Sequence, residues 1–298
     1  MPKDIFIKSV ELKNKEIMGY RECGNGNRTI LLVHGNMTSS KHWDLVLENI
    51  PEDYKIYAID LRGFGMSSYN TPIDSIKNFS DDIKLFIEAL NIRNFTLVGW
   101  SLGGCVAMQF VVDYPGYASK LILMDSGSPK GFPMKKRDIF RRPTGKMLTT
   151  KKEIAYAIRY MLSAYKFNNR FLLKSMFTTG IYNVNKPSIS KFNEYIDDTL
   201  TQRNLLDVTY ALSYFNISNE HNKVVEGTGE IEKLYIPVLI IHGDKDKVVP
   251  LYIAMKTKEM IGDNAELVVL QNCGHSPIID KLDELIRLIL EFTDRIYL

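Results

Sequence analysis

The chain has 298 residues, 45% of them apolar and 24% charged. A body of that size removes roughly 75% of its unfolded-chain surface from water, so neither disulfide nor metal staples are required, and charge at this level excludes both a disordered tail and a low-charge membrane chain. With 38 Lys+Arg against 35 Asp+Glu the net charge is +3, too near neutral for the concentrated basic stripe that nucleic acid demands.

In chain order, residues 1–10 alternate charged and apolar positions without an apolar run of signal-peptide length. Period-two alternation through Ile5, Ile7 and 17–21 predicts an antiparallel hairpin. Short β-rich runs at 29–33, 54–59, 95–98, 120–124, 236–241 and 266–270 follow, several apolar at nearly every position, as in strands covered on both faces. Between them, 81–90, 101–113, 251–261 and 282–292 space apolar residues at the helical period. This order predicts an α/β fold with a mostly parallel, doubly wound sheet of about eight strands. From 128 to 233 the strand signals vanish while helical ones continue at 153–164, 169–177, 191–199 and 204–215, which predicts an all-helical insertion. It is rich in rings, including Tyr156, Tyr160, Tyr165, Phe167, Phe171, Phe177, Tyr195, Tyr210, Tyr214 and Phe215. Most are expected to pack the insertion onto the sheet domain and a few to line an apolar pocket. The polar stretch 216–229 reads as a loop and as the most mobile element. The densest basic run, Lys135, Lys136, Arg137, Arg141 and Arg142, reads as a solvated face.

Three widely spaced cysteines, Cys23, Cys105 and Cys273, show no metal spacing and point to a reducing, cytoplasmic setting. No run approaches the roughly 20 apolar residues of a membrane span.

The strongest chemical signal is Gly99-Trp100-Ser101-Leu102-Gly103-Gly104, a G-x-S-x-G pattern between a strand and a helix. A serine there stands on a tight turn above the strand ends, and the helix behind it aims free N–H groups at the same spot. A serine nucleophile requires a histidine base and a carboxylate to orient it. Of five histidines, His275 in Cys273-Gly274-His275-Ser276-Pro277 is best placed, between a strand and the last helix. His34 precedes its own turn, His242 ends a strand as a structural hydrogen-bonder, and His42 and His221 lie in a helical start and a loop. For the carboxylate, Asp246 in the loop 243–250 is favoured because it can reach the loop of His275. Asp244, which can cap its own turn, and Asp125, at another strand end, remain competitors. Cys105 reads as core and Arg62 as a structural ion-pair partner.

The order Ser101, Asp246, His275, together with Leu32-Val33-His34-Gly35-Asn36, Asp60-Leu61-Arg62-Gly63-Phe64-Gly65-Met66-Ser67 and the two loops just named, resembles the α/β-hydrolase superfamily, small capped serine esterases and lactonases in particular. The resemblance covers about 29–127 and 235–298. It implies a core domain of 1–127 and 234–298, with 128–233 as a cap, and an oxyanion hole formed by the backbone N–H groups of Asn36 and Leu102. The loop 34–40 is also similar to that of haloalkane dehalogenases. Those enzymes carry an aspartate at the elbow, so Ser101 argues against dehalogenation. The expected activity is hydrolysis of a small-molecule carboxylic ester without cofactor or metal. A lactone hydrolase is the alternative, and a slow-turnover ligand receptor that keeps the triad is the alternative of another class.

Overall fold

Eight strands form one sheet whose spatial order places the first two at one edge and the last two at the other. The computed structural model describes residues 3–138, 140 and 142–297; Arg141 of the basic run and Met1 and Pro2 of the first segment lie outside the described residues. The strands are β1 (Phe6–Glu11), β2 (Ile17–Cys23), β3 (Arg28–Val33), β4 (Tyr54–Ile59), β5 (Phe95–Trp100), β6 (Ala118–Met124), β9 (Val238–Gly243) and β10 (Ala265–Leu270), in the order β1-β2-β4-β3-β5-β6-β9-β10. β1 pairs antiparallel with β2, and β2 with β4. Every other pairing within this sheet is parallel. Because side chains alternate across a strand, each central strand feeds two cores. Leu31, Val33, Leu97, Leu121 and Leu123 face α2 (Ile76–Ala89) and α3 (Leu102–Asp113). Ile30, Leu32, Val98, Ile122 and Met124 face α1 (Asp44–Asn49) and the helix Leu282–Asp294. This two-sided burial is why the strands read as continuous apolar runs. Helix α3 is apolar on nearly every side and buried from Leu102 to Val112, as a helix enclosed by its neighbours must be.

Between β6 and β9 the chain forms a third core of its own, in which Ile154, Leu173, Phe177, Tyr182, Tyr195, Ile196 and Leu205 pack with Met37. The helices here are α4 (Lys151–Ala157), α5 (Arg159–Lys166), α6 (Arg170–Thr179), α7 (Ile189–Thr199) and α8 (Leu205–Tyr214). Thr150 and Glu153 form a reciprocal capping box that starts α4. The expectation of helices alone requires correction. β7 (Lys135–Arg137) and β8 (Pro143–Met147) make an exposed antiparallel hairpin, held by backbone pairing and carrying charge on both faces, so no hydrophobic period announces it. Of the rings expected to be packed, Phe177 and Tyr195 are buried, whereas Tyr156, Tyr160, Phe167 and Phe171 depart from that expectation and are exposed. The loop 216–229 has no helix or strand. It is held by its own side chains, with Asn216 donating to Glu220 O at 2.8 Å and Asn222 accepting from the amides of Val224 and Val225.

Helix α7 is tied to the sheet domain through buried polar contacts. The Tyr195 hydroxyl donates to Asp44 at 2.5 Å, and Lys191 pairs with the same carboxylate at 2.8 Å. Because a buried hydrogen bond to a charged group contributes roughly 1.5–3 kcal/mol, Tyr195→Phe is expected to lower the unfolding free energy by about 2 kcal/mol. Urea titration of the two proteins measures this; an unchanged midpoint would show that Lys191 alone satisfies Asp44.

Candidate active site

Ser101 stands between β5 and α3 with φ 54° and ψ −114°, a conformation costly for any residue with a Cβ. The surrounding glycines make the turn possible by close approach. A Cβ on Gly99 would lie 2.3 Å from Gly103 O, and one on Gly103 would lie 2.3 Å from Val33 O. The turn is pinned by Ser101 N donating to Met124 O and by Ser101 O accepting from the amides of Gly104 and Gly127, all at 3.0 Å. Leu102 is the first residue of α3, so its N–H has no partner within the helix.

The loop after β3 lies directly against this serine, for a Cβ on Gly35 would come 3.2 Å from Ser101 Cβ. Ser101 and Asn36 are partly exposed, while His34, Leu102 and His275 are buried. His34 is a structural group. Its Nδ1 lies 2.7 Å from Gly35 O, its Nε2 accepts the Leu61 amide at 3.0 Å, and burial pushes its pKa down to about 4. The Asn36 side-chain oxygen accepts from Gln202 at 2.8 Å.

The loops after β9 and β10 meet each other closely, since a Cβ on Gly243 would lie 2.3 Å from Gly274 O. Across this seam Asp246 Oδ2 is 2.7 Å from His275 Nδ1, and Asp246 Oδ1 accepts from the amides of Val248 at 2.7 Å and Val249 at 2.9 Å. Burial acts to raise the Asp246 pKa, but the facing His275 ring and the amides outweigh it, and the carboxyl is held below its ordinary value. Trp100, the residue before Ser101, donates its indole N–H to His275 O at 2.8 Å, fastening the histidine loop to the end of β5.

The competing carboxylates have other partners. Asp244 accepts from the Cys273 amide at 3.0 Å, and Asp125 accepts from the Gly243 amide at 2.9 Å. Asp125 is fully buried, and burial, followed by the neighbouring Asp246 charge, pushes its pKa well up. His242 Nε2 lies 2.8 Å from Val249 O, a structural hydrogen bond as expected. Asp125, His242 and Asp246 each offer one ligand-type atom within 4.8 Å of the others, but both oxygens of Asp246 are already engaged, so the group is hydrogen-bonded more naturally than metal-filled. Arg62 pairs with Asp82. Cys105 is buried, and desolvation drives its thiol pKa up to about 12, so it offers no thiolate.

Sequence reasoning missed the contacts that hold the 36–44 segment from above. Gln202 bridges Asn36 and Asn204, Thr199 donates to Met37 O, Ser39 donates to Asp198, and His42 Nδ1 lies 3.1 Å from Asp198 while its ring stacks on Tyr195. No motif signals the contacts to residues 36–42, because their partners lie more than 150 residues away.

A family model for the alpha/beta hydrolase fold matches residues 28–282, and the chain belongs to that family. Among its relatives, the AB hydrolase superfamily protein YisY of Bacillus subtilis is 25% identical over 286 residues, 92% of this chain and 94% of that protein. A 2-hydroxy-6-oxononadienedioate/2-hydroxy-6-oxononatrienedioate hydrolase of Burkholderia vietnamiensis is 23% identical over 299 residues, 97% of this chain and 95% of that protein. In fold, the chain is similar to an esterase from Exiguobacterium antarcticum, with a TM-score of 0.75 at 19% identity, covering 97% of this chain and all of that one. Among the described residues, no helix is long and apolar enough to cross a membrane.

Proposed function

We propose that the protein is a serine hydrolase that cleaves carboxylic esters through an acyl-enzyme. Ser101 is the nucleophile and His275 the base. Asp246 engages His275 Nδ1, which leaves Nε2 to take the serine proton and later return one to the leaving alcohol. The backbone amides of Asn36 and Leu102 hold the oxyanion, each worth roughly 2.7–4 kcal/mol of barrier. Water, activated by His275, then attacks the acyl-enzyme and frees Ser101. In this reading residues 128–233 form a cap over a core of 1–127 and 234–298, and set which acyl groups enter. The observation that carries the proposal is the strained Ser101 turn with the loop of Asn36 against it and the His275 loop anchored to the adjoining Trp100.

The relatives named for hydrolysis of 2-hydroxy-6-oxo dienedioates favour a second reading, in which the same apparatus breaks a carbon–carbon bond next to a ketone. Both readings require an activated serine. A fluorophosphonate probe is expected to label Ser101 alone, as read by peptide mapping, and an unlabelled Ser101 in folded protein would remove both. A panel of p-nitrophenyl esters, lactones and a vinylogous diketone then separates them by kcat/KM, with the linear esters expected to lead.

A further inference from the structure

The chain is almost neutral as a whole, but its charge is unevenly distributed. Residues 130–174 hold 13 Lys and Arg against 2 Asp and Glu, a net +11, while the rest of the chain carries 25 basic and 33 acidic residues, a net −8. Large apolar side chains stand exposed on the same segment: Phe140 71%, Tyr156 70%, Tyr160 58%, Phe167 70% and Phe171 84%.

These two features interleave. Helices α4 and α5 follow one another across a single turn residue, Ile158. Their inner face buries Ile154, Ile158 and Ala164 in the third core. An ordinary surface helix presents only polar residues opposite such a face, but here the outer face repeats Lys152, Tyr156, Tyr160 and Phe167 at helical spacing, all exposed. The Arg159 guanidinium lies over both Tyr156 and Tyr160, at 4.4 and 4.6 Å, and Lys166 lies 5.5 Å over Phe167. The hairpin β7–β8 adds Phe140 at its turn with Arg142 over the ring, and it is tied to α4 by Lys136 and Glu153. Between hairpin and helices runs a groove of about 830 Å³ bordered by Lys135, Lys136, Lys152, Arg159, Tyr156 and Tyr160. Among the described residues, Lys135, Lys146, Lys152 and Lys166 form no ion pair with an acidic side chain.

We propose that this face docks on the surface of an anionic lipid bilayer. The basic groups meet the headgroup charge while the exposed rings enter the boundary between headgroups and acyl chains, the arrangement of an interfacial amphipathic surface. Single-stranded nucleic acid also combines charge with stacking. Three of the five rings are phenylalanines, however, divided among a hairpin turn, the end of α5 and the start of α6, which suits insertion into a plane better than a continuous track for bases.

Vesicle sedimentation of the full chain tests this, using phosphatidylcholine vesicles with and without phosphatidylglycerol. Binding is expected only with phosphatidylglycerol and is expected to vanish as the salt rises from about 0.1 M to 1 M, where the screening length falls from roughly 10 to 3 Å. Each cation near such a surface contributes roughly fivefold to partitioning, so the triple variant Lys135→Gln, Lys146→Gln, Lys152→Gln should bind roughly 100-fold more weakly. Phe167→Ser with Phe171→Ser should weaken binding at least tenfold while leaving the salt dependence in place. All five side chains are at the surface, and unchanged circular dichroism of each variant checks the fold. Equal binding to both vesicle types, triple-variant binding within twofold of the parent, or tighter binding to a single-stranded oligonucleotide than to anionic vesicles would each overturn the proposal. The measurement needs no turnover, so it is read independently of ester hydrolysis.

Discussion

Exchanging Ser101 for glycine is expected to abolish ester turnover and to raise the unfolding free energy by about 1 kcal/mol. Ser101 sits at φ 54°, ψ −114°, and a non-glycine residue held in so sparsely populated a region costs roughly 1–3 kcal/mol. Glycine removes the Cβ that makes the conformation costly, although it gives back part of the gain through the freer unfolded chain. Ser101→Ala keeps the Cβ, so its stability should stay near that of the parent while turnover falls by a factor of roughly 10⁴–10⁶. In thermal unfolding the glycine variant should melt about 2 °C above the alanine variant. A glycine variant that melts lower than the alanine variant would show that the elbow stores no strain.

The two buried aspartates should respond in opposite ways to the same chemical change. Asp246→Asn places an amide against His275 Nδ1, which favours the wrong ring tautomer, and kcat is expected to drop by roughly 10⁴. Asp125 accepts from the Gly243 amide, whereas His275 Nδ1 faces Asp246, so for Asp125→Asn kcat should remain within a few-fold of the parent. Its effect should appear in the pH dependence of stability. Because the folded-state pKa of Asp125 lies above its unfolded value, its contribution is full below the unfolded pKa and is lost as pH rises through the raised one. The asparagine cannot ionise, so urea midpoints of the variant should fall less on the alkaline side than those of the parent. Asp246 works the other way. Its pKa is depressed, so its contribution is present above the unfolded value and is lost as pH falls. A large loss of kcat in Asp125→Asn together with a mild one in Asp246→Asn would reassign the acid.

The sheet was legible from its residues because strands such as 29–33 and 238–241 are buried on both faces, leaving an uninterrupted apolar run as their signature. The turn at Ser101 was legible for a steric reason: only glycines at 99 and 103 let the chain pass within contact of Gly103 O and Val33 O. The pairing of His275 with Asp246 could be favoured from loop positions, but it could not be separated from Asp244 until the backbone showed Asp244 turned to the Cys273 amide. The hairpin β7–β8 left no trace, since an exposed strand needs no apolar alternation. The clamp of Gln202, Thr199 and Asp198 on residues 36–42 was equally silent, because a polar contact across such a separation imposes no local pattern. The rings of the insertion misled for a related reason: composition reports how many aromatic residues there are and says nothing of which way they face.

The interruption of the sheet between β6 and β9 also bears on the order in which the molecule assembles. Strands β1 to β6 lie within the first 124 residues, whereas β9 and β10 join only after the chain has closed over residues 125–237. Closure of so long a segment is entropically late, and synthesis delivers the N-terminal part first. Ser101 and the Asn36 loop belong to the early part, and Asp246 and His275 to the late one. In the proposed mechanism, a ribosome-bound chain truncated before β9 would therefore carry the nucleophile without its base, so the emergence of turnover would time the arrival of the last two strands.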